Sequence, residues 1–464
     1  MHRARARRFV FALSWCLAPA ALHAQRPDYK NLRFDELWKR TDRTSHWDDK
    51  IKAIPLAPGV FLTIGGQARW REEFAHAFNL SATSDTYGQS RLLLNADLQF
   101  GDIKRAHGRM FVELRDAQSY NRELPGGTRP GDADRGDIQN VFVDAAFGKS
   151  LVRVGRQEIV MGRERLIGVP DWTNTRRGFQ GVRAILVRGA FALDAFDARP
   201  VVVRLRLPNL GDTTTRVRAF TLGSAVGAKP AIHALPATWQ AYWYEQVVST
   251  STLTRRLTSG ARAVWTFSSA SNVAPALSFE TEAAVQRGAA GARALHAWFW
   301  TTEWQAQWRR SHGTPTLALG VEAASGNRNP SDARLETFHT LYAAAHAHGG
   351  YADVFGRGNA REVHIISSWD AAKKVALRAA WHRYSRLQLA DGVYTKQNTV
   401  LRAAFNSSDR HVADEIDLST TINVSRHLRL TGGQFLVAPG AFLRNTPGSA
   451  VQERLSYLGT AFTF

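Results

Sequence analysis

Arginine at every second position of apolar runs is the most chemically expressive pattern in this chain. Arg69, Arg71 and Glu73 are opposed by Ala68 and Trp70, and Arg109, Glu113 and Arg115 by Met110, Val112 and Leu114. Arg91 shares its parity with Asn95, Asp97 and Gln99, against Leu92, Leu94, Ala96, Leu98 and Phe100. Arg153 stands between Val152 and Val154, Arg262 beside Ala263 and Trp265, and Arg378 between Leu377 and Ala379; Asp417 and Arg429 complete the set. A guanidinium stays charged and offers a planar fork matched to a carboxylate. Spread along a pore, many such weak contacts admit an anion without trapping it. The competing reading is structural: each arginine pairs with an acid on a neighbouring strand and stiffens the wall.

Period-two alternation requires strands to position these residues. From residue 59 to the end, alternating runs follow one another with turn-like breaks, and about eighteen strands are expected, from 61–74, 90–101 and 107–117 through 216–224, 259–268, 276–287 and 294–309 to 452–464. Every second connection is mostly short (102–106, 148–150, 189–190, 310–314, 371–373, 425–427), whereas 118–136, 159–180, 325–360 and 385–412 are long. Sorting of loop length by parity is what an outer-membrane barrel shows, and a sandwich has no reason for it. An arginine on the lipid face at mid-membrane costs about 2–4 kcal/mol, so the arginines named above are expected to point inward. The strand 216–224 cannot be oriented this way, because Arg218 shares a parity with Phe220. Trp298, Trp300, Trp304 and Trp308 share one face, and some of them are expected in an aromatic girdle at the lipid–water boundary.

The two ends support export and membrane insertion. Residues 1–24 read as a signal peptide, with a basic tip, an apolar stretch from Phe9 to Ala21 and Ala24 before the cleavage point. Residues 25–58 lack alternation and form an N-terminal segment on the periplasmic side, in which FDELWKR suggests a short helix. The barrel occupies 59–464 and closes on Gly459, Phe462 and Phe464, like the targeting strand of bacterial outer-membrane barrels; an edge strand of a periplasmic β-protein is the alternative. Mean hydropathy is −0.28, and no later stretch has the ~18 consecutive apolar residues of a membrane helix. The single cysteine, Cys16, lies in the signal peptide, which leaves no disulfide and no thiolate metal site after cleavage. The net charge is +20, of which four lie in the signal peptide as Arg3, Arg5, Arg7 and Arg8, leaving +16. Such an excess implies an anionic partner: lipopolysaccharide for part of it, an anionic solute for the rest, and no nucleic acid in an exported chain.

One segment carries a specific resemblance. RVGRQEIVMGRERLIGVPDWTNTRRGFQGVRA, Arg153 to Ala184, is similar to the signature of the alginate export family, through Gly155-Arg156-Gln157-Glu158, Gly162, Arg165-Leu166, Asn174, Arg176-Arg177, Phe179, Gly181 and Arg183. NLRFDELW, SRLLLNADLQFGD, QNVFVD, ALDAFDARPV, Ala324-Ser325-Gly326 and DGVY at 391–394 extend the likeness over nearly the whole mature chain. The resemblance implies an 18-stranded barrel with a positive pore. It adds Arg176, Arg177 and Arg183 to the candidate pore residues, with salt bridges to Glu158, Glu164 or Asp171 as their structural alternative. The expected function is passage of an anionic solute, including export of alginate or a similar polysaccharide with the help of a periplasmic export partner. The other reading is a general or small-molecule porin.

Catalysis finds no support: there is no G-x-S-x-G elbow and no HExxH. His339, His346 and His348 on the 325–360 stretch could bind a surface metal, but no cysteine or spaced acid accompanies them. No cofactor is implied, and a barrel that closes on itself needs no second chain to cover an edge. Unboiled gels should therefore show a monomeric, heat-modifiable band, and a helical circular-dichroism spectrum would overturn the fold.

Overall fold

Strands buried in hydrocarbon must satisfy every backbone group among themselves, and this chain does so by closure. The computed structural model describes residues 27–38, 46–102, 105–225, 236–267, 274–310, 313–371 and 374–464; the expected signal peptide lies outside them. Among the described residues, eighteen long strands form the barrel: β1 (Val60–His76), β2 (Asp85–Gly101), β3 (Ala106–Tyr120), β4 (Asp134–Phe147), β5 (Ser150–Gln157), β6 (Phe179–Arg188), β7 (Phe191–Val202), β8 (Thr215–Ser224), β9 (Thr238–Ser249), β10 (Leu253–Phe267), β11 (Ala276–Ala290), β12 (Arg293–Gln307), β13 (Thr314–Ala324), β14 (Ala360–Ala371), β15 (Val375–Arg386), β16 (His411–Asn423), β17 (Leu428–Pro439) and β18 (Glu453–Thr463). Each pairs antiparallel with the next, and β18 returns to β1 from Gln67↔Thr463 to His76↔Arg454.

The alternation is inside-out relative to a water-soluble protein. Leu92, Leu94, Met110, Leu114, Val143, Val154, Trp304 and Leu458 are exposed on the outer wall, while Arg91, Asn95, Asp97, Gln99, Arg109 and Glu113 are buried within. A continuous exposed apolar band of this kind is covered by lipid. The unoriented strand is settled too. In β8, Val217, Ala219 and Thr221 are buried and Phe220 and Leu222 exposed, so Arg216 and Arg218 lie outward. They sit at the end of the barrel that carries the long loops 121–133, 158–178, 325–359 and 387–410. The connections 148–149, 189–190 and 424–427 turn at the other end.

Residues 27–38 and 46–57 enter that other end. Phe34 meets Phe111 and Phe142 edge-on at 5.7 and 5.3 Å, Lys52 Nζ donates to Ile64 O at 2.7 Å, and Ile54–Ala57 adds a short strand to β1. The expected helix over FDELWKR is only a 3-10 turn, Arg33–Asp35. Glu36 is drawn out of helical geometry because its carboxylate accepts from Lys30 N at 2.7 Å and from Trp38 Nε1 at 3.1 Å. A second turn, Trp47–Ile51, held by a His46–Asp49 capping box, had no counterpart in the sequence reading.

Phe464 N donates to Gly66 O at 3.0 Å, Gly66 N to Phe464 O at 2.9 Å, and Arg33 Nη2 to the same carbonyl at 2.7 Å. Deleting Phe464 removes these bonds, worth about 0.5–1.5 kcal/mol each. The loss of assembly into the outer membrane should exceed that modest loss of stability. Normal outer-membrane levels of the truncated chain, measured by fractionation, would refute the targeting role.

Candidate functional site

The lumen is filled by two loops pinned to the inner wall. The first, 158–178, starts and ends on an ion pair, Arg176 Nε to Glu158 Oε1 at 2.8 Å. Its Asn174 amide donates to Ser90 O, Gln118 O and Asp132 O at 2.8–3.0 Å, satisfying carbonyls of β2, β3 and the 121–133 loop. At the base of this loop Gly155, with φ +137°, faces Gly181 across β5 and β6; a Cβ there would lie 2.2 Å from Val141 O, so glycine permits the close approach. The second loop, 325–359, joins the first through Arg177, which donates to Tyr342 O, Gly168 O and Ala343 O.

Where the loops meet, a column of stacked groups runs from β1 to β15. Arg71 lies 3.8 Å over Trp172, Trp172 stacks on His346 at 4.2 Å, His346 on Tyr351 at 4.5 Å, and Arg378 caps Tyr351 at 4.0 Å. Its flank rests on Phe435 and Tyr457 of the wall. Asp353 fixes the His346 ring at 2.9 Å; although burial opposes its charge, Lys396 and His346 hold its carboxyl well below the usual carboxylate range. Tyr351 and Ala347 separate two cavities, one of about 380 Å³ lined by Arg69, Arg71, Arg91, Asp171 and Arg429, the other of about 200 Å³ lined by Arg163, Glu303, His364, Arg378 and His382.

Of the arginines singled out from the sequence, Arg69, Arg71, Arg91 and Arg429 come together around the larger cavity. Arg71 is bound to Glu73 and Gln89, and Arg91 to Asp171 at 2.8 Å. Arg69 donates to Asp171 O, Thr173 O and Asn174 Oδ1, and the exposed Arg429 to Asn423 Oδ1 at 3.3 Å. The others lie elsewhere. Arg109 forks onto Asp97 at 2.7 Å; Arg153 forks onto Asp144 under the Phe34 and Phe142 rings. Arg115 pairs with Asp134, Arg183 with Asp194 at 2.6 Å, and Arg262 with Glu280 at 3.0 Å. Arg176 and Arg177 tie loops together, as described above. The three loop histidines do not converge: His346 is in the column, His348 Nε2 contacts Arg163 O, and His339 Nδ1 accepts from Leu341 N. Trp172 and Tyr351 escaped the sequence reading, since nothing in a loop sequence says that its rings turn inward. Glu362, His364 and His382 also escaped it, although their shared parity on adjacent strands was readable.

A closed eighteen-stranded barrel with an apolar outer band and an ionic, loop-filled lumen is an outer-membrane channel. The alginate export family model matches residues 60–456, and the chain belongs to that family. Among solved structures, OccK2 (OpdF) of Pseudomonas aeruginosa is similar, with TM-score 0.59 and 12% identity over 87% of this chain and 97% of that one. The same protein in complex with glucuronate gives 0.58 and 12% over 86% and 98%, and OccAB2 of Acinetobacter baumannii 0.59 and 9% over 86% and 98%. No curated protein sequence matches the chain.

If the stacked column limits flow, Trp172→Ala should raise single-channel conductance in planar bilayers while the protein still migrates as a folded, heat-modifiable band. Unchanged conductance in the folded variant would show that the restriction lies elsewhere.

Proposed function

We propose that the channel passes carboxylate-bearing solutes of the uronate class past the Arg69–Arg71–Arg91–Arg429 cavity. The observation that carries this reading is uneven pairing. Among the described residues, neither Arg69 nor Arg429 forms an ion pair within 4.0 Å; their bonds go to carbonyl and amide oxygens. Family membership and the glucuronate bound to the similarly folded OccK2 point to the same chemical class. Polyuronate export, as the family name suggests, needs the two loops to withdraw. A small-molecule porin is the second reading, favoured by the present division of the lumen: about 380 Å³ is the volume of an ordinary small-ligand pocket, roughly 300–1,000 Å³. On this proposal the channel works as a monomer, and an export partner engages the short-turn end.

The remaining basic surplus has a second anion available. On the outer wall at the long-loop end, Arg216 and Arg218 share Asp197, and Arg218 and Arg255 share Glu245, at 2.6–3.3 Å. Three arginines on two acids leave a positive rim, suited to lipopolysaccharide phosphates.

Reversal potentials under a salt gradient test the selectivity. Arg69→Gln with Arg429→Gln should reduce anion preference at low salt, and the difference should vanish near 1 M, where the Debye length is about 3 Å. Arg410→Gln, in the 387–410 loop, should leave the preference intact. Current block by glucuronate but not by long oligouronates would select the small-molecule reading. An unchanged preference in the folded double variant would reduce these arginines to wall supports.

A further inference from the structure

Strands β14 and β15 carry a cluster that anion passage does not use. Glu362 and His364 lie on one face of β14, and His382 of β15 is the direct cross-strand partner of His364. Glu362 and His382 are buried, and His364 borders the smaller cavity. One ligand atom from each of the three residues falls within 4.8 Å of the other two; among the described residues no other group of three His, Cys, Asp or Glu side chains converges in this way.

The two imidazoles are oriented alike. Nδ1 of His364 and Nδ1 of His382 both face Glu362 Oε1, at 3.5 and 2.6 Å. Their opposite nitrogens face carboxylates from the flanking wall: His364 Nε2 meets Glu303 Oε2 of β12 at 3.2 Å, and His382 Nε2 meets Asp417 Oδ2 of β16 at 3.5 Å. A histidine that ligates a metal through one nitrogen commonly donates the other N–H to a carboxylate, which fixes the tautomer and raises ligand basicity; His364 makes that bond to Glu303, and His382 faces Asp417 without a hydrogen bond. The nearby arginines are directed at other acids or at the periphery. Arg357 pairs with Glu322, Arg165 with Glu280 and Glu282, and Arg378 reaches only Asp417, at 3.6 Å. The ion-pair partners of Glu303 and Glu362 are histidines.

We propose that Glu362, His364 and His382 form a binding site for a divalent transition-metal ion, with Zn²⁺ the best match, and that Glu303 and Asp417 orient the two imidazoles. Two nitrogens and one carboxylate oxygen, with the fourth position open to the water-accessible cavity, make a donor set that zinc accepts and that calcium or magnesium does not favour. Donors around tetrahedral zinc, each about 2.0–2.1 Å from the ion, lie about 3.4 Å from one another, so side-chain rotation of about 1 Å closes the site. The ion takes the place of the Nδ1 protons that His382 and His364 direct at Glu362, so binding releases them to the buffer while the Nε2 atoms still face Glu303 and Asp417. The bound ion would clamp two adjacent strands and place a positive charge on the wall of the smaller cavity.

Titration calorimetry with zinc chloride on the EDTA-treated, detergent-folded full chain tests this, with folding checked by heat-modifiable migration. The wild type should bind one ion per chain, with a heat that varies with the ionisation enthalpy of the buffer. His364→Gln with His382→Gln should abolish binding, and Glu303→Gln should weaken it about 10–100-fold. His346→Gln with His348→Gln should leave it unchanged. Glu362→Gln is the substitute should the double histidine variant not fold, and it too should abolish binding. Absence of zinc binding by the wild type, wild-type affinity in a folded His364/His382 or Glu362 variant, or loss of binding in the loop-histidine variant would each overturn the assignment.

Discussion

A bilayer core contains no partner for a backbone N–H or C=O, and everything in this molecule depends on meeting that constraint by joining β1 to β18. Closure turns the usual arrangement of residues inside out. The apolar positions of each strand face lipid, and the polar positions are forced together in the lumen, where their charges must be satisfied. Arg109 on Asp97, Arg153 on Asp144 and Arg262 on Glu280 are consequences of closure before they are features of a pore.

The loops answer the same requirement from inside. Asn174 caps three carbonyls at once, Arg177 spends its donors on carbonyls of the other loop and of its own, and Arg33 reaches the terminal carbonyl of Phe464. These segments are part of the inner packing, and they decide where open space remains. What borders that space is the set of residues left over once the wall and the loops are satisfied. Arg69 and Arg429 belong to that remainder on one side of the stacked column, and Glu362, His364 and His382 on the other. A lumen that is basic on one side of Tyr351 and rich in His and Glu on the other presents two different surfaces to anything that crosses it.

Strand boundaries show where the sequence signal runs out. The structure lengthens 259–268 to Leu253–Phe267, 276–287 to Ala276–Ala290 and 90–101 to Asp85–Gly101, each time at the end that carries the long loops. Thr254-Arg255-Arg256 and Asp85-Thr86 do not alternate in polarity, because a strand that rises beyond the hydrocarbon meets water on both faces and loses the pressure to alternate. The same physics left β8 unoriented: Arg216 and Arg218 share the lipid-facing parity of Phe220, and paired with Asp197 and Glu245 at the rim they are tolerated where a mid-membrane arginine would not be.

The sequence by itself determined the barrel, its strand number, the parity of its loops and the inward face of β1 to β3 and of β5, because period two and hydrocarbon thickness act on each strand separately. It also placed Arg69, Arg71, Arg91 and Arg429 on the correct face without telling them apart from Arg109 or Arg153. That distinction belongs to the tertiary structure alone. Whether an inward arginine finds a carboxylate, a loop carbonyl or open space depends on strand register and on where two loops fold back. Those are set by contacts such as Trp172 on His346, between two loops that only the closed barrel brings together.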